Sequence, residues 1–138
     1  MSHLKYYAYE GVGVRNREMY KYSQAVRVGD RIECSGQGGW HDDGTFETEI
    51  NAQIDCAFAN VEKNLKDAGG KGWSQVFRVD SYHVPLDDEA LAAMIRNLAK
   101  YMPDHQPIWT CVGVPLLGEE AMKVEIAMAH DPEGAKTA

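Results

Sequence analysis

The chain has 138 residues, 44% apolar and 25% charged, with 14 lysines and arginines against 21 aspartates and glutamates. That is one domain's length with ample material for a core, which excludes a disordered chain. The net charge of −7 weighs against a nucleic-acid surface, and no apolar run approaches a membrane span.

Residues 1–11 set Leu4, Tyr6 and Ala8 against Lys5, Tyr7 and Tyr9, the alternation of an edge strand. Arg15-Asn16-Arg17-Glu18 reads as a polar connector. Ala25–Val28 and Arg31–Gly36 flank Gly29-Asp30 and predict a hairpin. Gly36, Gly38, Gly39 and Gly44 mark a loop in which Trp40 and His41 are bulky exceptions and functional candidates.

From Thr48 to Ala68 the residues Ile50, Ile54, Ala57, Val61, Leu65 and Ala68 recur at helical spacing, and Gly69-Gly70 supplies the stop. Gln75 to Val84 is a strand closed by Pro85. Asp87 or Asp88 caps a second helix, Glu89 to Tyr101, with Leu91, Ile95, Leu98 and Met102 as its expected buried stripe; Pro103 ends it. Two strands complete the pattern, Gln106–Val114 and Met122–His130, and 131–138 reads as a frayed tail.

The order β-β-β-α-β-α-β-β predicts a single α+β domain, a mixed sheet with two helices packed on one face. In the last strand Val124, Ile126 and Met128 share one face and Lys123, Glu125, Ala127 and Ala129 the other. In the strand before it, Ile108, Val112 and Val114 share a face opposite Trp109, Cys111 and Gly113. Trp109, Cys111 and Glu125 are expected to converge on the face without helices, covered by another subunit. Three widely spaced cysteines, Cys34, Cys56 and Cys111, form neither a disulfide framework nor a zinc pattern, and no histidines stand at metal-ligand spacing. Without a basic-then-apolar leader, the expected address is cytoplasmic.

Several pieces in succession carry a resemblance: Tyr22-Ser23-Gln24-Ala25-Val26, Ser35-Gly36-Gln37, the long helix ending Asn64-Leu65…Ala68-Gly69, Pro107-x-x-Thr110-Cys111-Val112, and Lys123-Val124-Glu125-Ile126-Ala127. From Tyr22 to His130 the chain resembles the Rid (reactive intermediate deaminase, YjgF-like) family, also labelled endoribonuclease L-PSP. The resemblance implies a chorismate-mutase-like fold and a homotrimer with a central barrel. It also implies small-molecule clefts at the subunit interfaces that hydrolyse enamines and imines without metal or cofactor.

By the same resemblance Glu125 is the catalytic acid, while Trp109, Cys111, Tyr22, Ser35, Gly36 and Gln37 line the substrate cleft; Trp40 joins them from its loop. The family carries an arginine where this chain has Trp109. That exchange removes a charge-assisted carboxylate contact worth about 1.5–3 kcal/mol and substitutes one N–H and a π face. The expected substrate is therefore an enamine- or imine-type metabolite other than a small 2-iminoacid. Two other functions compete with it. The second is a trimeric binding module for an apolar or aromatic metabolite, with no chemistry. The third, RNA cleavage, is opposed by the acidic balance.

Overall fold

The computed structural model describes residues 1–131. Its elements are β1 (Lys5–Tyr7), α1 (Val12–Tyr20), β2 (Ala25–Val28), β3 (Arg31–Cys34), α2 (Ile50–Asp67), β4 (Val76–His83), α3 (Asp88–Tyr101), β5 (Ile108–Gly113) and β6 (Val124–His130). They form an α+β domain on one six-stranded mixed sheet, ordered β1-β2-β3-β6-β4-β5. Only β4 and β5 run parallel, with α3 as the crossover between them. Apart from Asp131, the tail expected at 131–138 lies outside the described residues.

The α2 stripe is buried from Ile54 to Ala68 as its spacing requires. At its end, Gly69 takes φ 93° while Gly70 N–H donates to the Leu65 carbonyl (2.8 Å) and Gly69 N–H to that of Lys66 (3.0 Å). This paired closure needs a left-handed residue. Phe58, Trp73 and Tyr101 stack at 4.6–5.9 Å between centroids, filling the layer between α2, α3 and the sheet.

Two expectations fail. Arg15–Glu18 is not a connector but the middle of α1, a helix that buries only Val12, Gly13 and Asn16 and so has almost no apolar stripe to read. In α3, capped by Asp87 through the Ala90 N–H (2.9 Å), the buried residues are Ala90, Ala93, Met94 and Asn97. Of the expected stripe, Met102 is buried and Leu98 packs against the core, but Leu91 and Ile95 are 37% and 53% exposed. Over its first turns the helix is rotated by ~100° from the expected stripe, because the small side chains of Ala90 and Ala93 let it lie close to α2. Asn97 ties it there through a 2.8 Å bond to Asp55.

The register also overturns the predicted convergence. Val79, Ser81 and His83 of β4 face the helices, and β5 pairs Val79 with Trp109 and Ser81 with Cys111. Residues paired across a ladder share a face, so Trp109 and Cys111 lie on the helix side. Glu125 pairs with Tyr82 and lies on the open side. With β4 between them, the indole and the acid of one chain do not meet.

Candidate functional site

The site begins where β3 runs out. Beyond Cys34 the chain continues along β6, and Gln37 exchanges two backbone hydrogen bonds with Ile126 (2.8 and 2.9 Å). That bridge lays Gly36 against Glu125 so closely that a Cβ on Gly36 would sit 2.1 Å from the carboxylate. Amides on the buried side of α2 hold the loop and the chain on either side of the cleft. Asn60 donates to the Gly38 and Trp40 carbonyls, both at 2.8 Å, and Gln53 clasps Glu47, Ala121 and Lys123 through their backbones.

Behind the Gly36–Trp40 turn runs a buried polar thread. Trp40 Nε1 donates to Tyr9 Oη (2.9 Å), Tyr9 donates to Gln37 Oε1 (2.7 Å), and Gln37 Nε2 donates to Gln24 Oε1 (2.7 Å). Gln37 is therefore wholly buried and ties the loop to Tyr9 and Gln24. Ser35 is similarly occupied, its hydroxyl donating to Gln24 (3.1 Å to the carbonyl).

In front of this thread opens a cleft of about 320 Å³ lined by Asn16, Tyr20, Tyr22, Trp40, Gly118, Glu119, Met122 and Glu125. Of the residues expected to line a site, it unites Tyr22, Trp40 and Glu125, with Gly36 pressed on the acid from behind. Trp109 is not among them: its Nε1 donates to the buried Ser81 hydroxyl (3.0 Å) and its ring packs under α3. Cys111 shares that face. His41 meets Glu47 at 3.0 Å at the surface.

Sequence reasoning missed Asn16, Tyr20, Glu119 and Met122. Asn16 and Tyr20 come from α1, whose turn ends at Lys21 in a left-handed conformation (φ 62°) that carries the chain round to Tyr22. The spacing of Asn16 and Tyr20, one helical turn apart, was the available signal.

Glu125 is the distinctive group. No hydrogen bond or ion pair reaches its carboxylate among the described residues, and burial alone raises its pKa. Nearby, Arg15 Nε donates to Asn16 Oδ1 (3.1 Å) and Asn16 Nδ2 donates to Tyr22 Oη (2.8 Å). The first bond fixes the amide's orientation, and the second uses the phenol as acceptor, leaving the Tyr22 proton to be given away. A half-buried acid without a partner, in the same cleft as a hydroxyl with a proton to donate, is suited to moving protons on a small molecule.

No helix among the described residues is long and apolar enough to cross a membrane. The profile of the family described as Endoribonuclease L-PSP matches residues 15–130. The RutC family protein YjgH of Escherichia coli K12 is 31% identical over 114 residues, covering 83% of this chain and 86% of its own. A solved structure of protein YjgH superimposes with a TM-score of 0.77 at 27% identity, covering 91% of this chain and 92% of that one. RidA from the Antarctic bacterium Psychrobacter sp. PAMC 21119 gives 0.72 at 25% identity, covering 80% and 87%. Together with the sheet and the helices, these likenesses make the chain a member of the endoribonuclease L-PSP family, the YjgF/Rid group.

Proposed function

We propose that the protein hydrolyses or tautomerises an enamine- or imine-type metabolite, with Glu125 as the proton-transfer group. The observation that carries this reading is the partnerless, desolvated carboxylate held against Gly36 in a cleft beside the Tyr22 hydroxyl. Its raised pKa increases the protonated fraction near neutrality, so that one group can act as acid and then as base. Protonated Glu125 gives its proton to the enamine β-carbon, and the C=C pair forms the new C–H bond as nitrogen closes a C=N⁺ iminium. Water adds to the iminium carbon as the carboxylate takes one of its protons. The carbinolamine then passes a hydroxyl proton to nitrogen and breaks its C–N bond, leaving ketone and ammonia. Stopping after the first step and losing the N–H proton is tautomerisation.

The test is ammonia release from enamines generated in situ, measured beside a buffer control. Glu125→Gln is expected to lose at least about 100-fold in rate. A set of enamines and imines that decay no faster with the protein than without it would remove the reading.

A second reading, a binding module, is favoured by the orientation of position 109: in place of the family's arginine stands an indole turned under α3. If it holds, small aromatic ligands raise the melting temperature while Glu125→Gln changes nothing but affinity.

For the assembly we propose a homotrimer built on the open face of the sheet, where no helix covers Ala127, Tyr82 and Val112. Tyr82 and Val112 expose 36% and 37% of their surface there. Solvent contact at such positions is what a subunit interface removes. The family's ribonuclease label finds no support in a chain with a net charge of −7.

A further inference from the structure

We propose that this cleft selects ligands whose reactive nitrogen is cationic and whose body is a flat apolar group bearing no carboxylate: iminium ions, or the primary amines that correspond to them. The inference rests on the cleft being the binding site, and adds the class of molecule it takes.

Two carboxylates line the same hollow. Glu125 has no hydrogen-bond or ion-pair partner among the described residues, and the Glu119 carboxylate approaches a cation only at 4.0 Å, from Arg15. Burying an unpaired carboxylate is costly, and an N⁺–H donor offsets that cost while forming a charge-assisted hydrogen bond. Burial, acting alone, raises the pKa of Glu125. The rest of the lining suits such a guest. Tyr20 and Tyr22 present aromatic surface, which attracts a cation over its faces and a planar group through stacking, backed by the buried Trp40 and Met122. About 320 Å³ is at the small end of ligand cavities, enough for one ring and a short chain.

An anionic ligand meets the opposite situation. Its carboxylate would lie beside Glu119 and Glu125, like charges in a partly desolvated space. Arg15, which borders the cleft through its neighbours, is held in place on its Nε and Nη1 side and turned toward Glu119 on the other. Its Nε is bonded to Asn16 and its Nη1 lies against Gly44, while the buried Nη2 makes no hydrogen bond and meets only the Glu119 carboxylate, at 4.0 Å. Swinging it inward breaks the bond that orients Asn16 and, through it, Tyr22. The net charge of −7 adds a field that favours cations at a distance.

The experiment compares benzylamine, benzyl alcohol and phenylacetate by calorimetry and thermal shift on the full chain at matched ionic strength. Benzylamine is expected to bind at least about tenfold more tightly than phenylacetate, with a preference that weakens as salt rises. In Glu125→Gln that preference falls by about fivefold or more, and Glu119→Gln gives a smaller fall in the same direction. Equal affinities, tighter binding of phenylacetate (above all if lost in Arg15→Gln), or no binding by any of the three would overturn the inference. Cation preference in a protein that turns nothing over upholds it while removing the catalytic reading. Turnover that depends on Glu125 without cation preference does the reverse.

Discussion

Gly36 lacks a side chain because Glu125 already fills the space one would take. In Gly36→Ala the new methyl would lie 2.1 Å from the carboxylate, so the acid must turn away or the loop must lift. Ligand affinity and any Glu125-dependent rate are expected to fall at least about tenfold, with about 1–2 kcal/mol lost in urea unfolding. The acid itself weakens the fold at neutral pH. Its pKa is raised in the folded protein, so the folded state holds the proton more tightly than the unfolded chain. The stability this contributes is present at low pH and is lost as pH rises through the folded value. Glu125→Gln should therefore raise the urea midpoint at pH 7 and leave it unchanged in acid. His130 works in the opposite sense. Burial pushes it down to about 4, against an opposing pull from Asp131. Between about 6.5 and 4 the unfolded chain binds a proton that the folded protein refuses, so up to about 3 kcal/mol of stability drains away as pH falls through that window. Unfolding titrations at steps from pH 7 to pH 4.5 check this, and His130→Leu should flatten the slope.

Helix α3 gives the sharpest test at the scale of elements. Met94 is fully buried and Ile95 is 53% exposed. Met94→Ala should cost about 2–4 kcal/mol, and Ile95→Ser less than about 0.5 kcal/mol; the reverse order would restore the stripe through Leu91 and Ile95. That stripe is what the sequence alone suggests, because the helix carries apolar residues around more than half of its circumference and the largest of them line up there. What turns the helix is the slimness of Ala90 and Ala93 against α2, a property of two surfaces at once. Helix α2 was legible throughout, since its apolar residues occupy one face and its amides, Gln53, Asn60 and Asn64, a flank of it. Helix α1 was not, having hardly any apolar face, and with it went Asn16 and Tyr20. The alternation within β5 and within β6 was also legible. Which face of β5 lies inside was not, because that depends on its parallel register with β4 rather than on any residue of its own. Glu125, Tyr22 and Gly36 were found by resemblance, and the structure places them in one neighbourhood; Cys111 matched equally well, and it lies elsewhere with Trp109, the residue that departs from the family.

For the molecule as a whole, the face without helices is where the proposed trimer is tested. Ala127 stands on it, opposite Asp80, away from the core. Ala127→Arg puts a long cation where a neighbouring protomer is proposed to pack; sedimentation is expected to find trimers of the parent and monomers of the variant. An unchanged mass would mean that other surfaces hold the subunits together. The position of Trp109 has a further consequence for anyone redesigning this protein. Strand β5 closes one margin of the sheet, and its indole is turned toward α3, with the sheet between it and Glu125 of the same polypeptide. Reinstating an arginine at 109 would give each molecule a guanidinium and an acid that cannot touch within it. Any cooperation between these two positions has to be intermolecular, so mixtures of two singly crippled variants, rather than either alone, are where complementation should be sought.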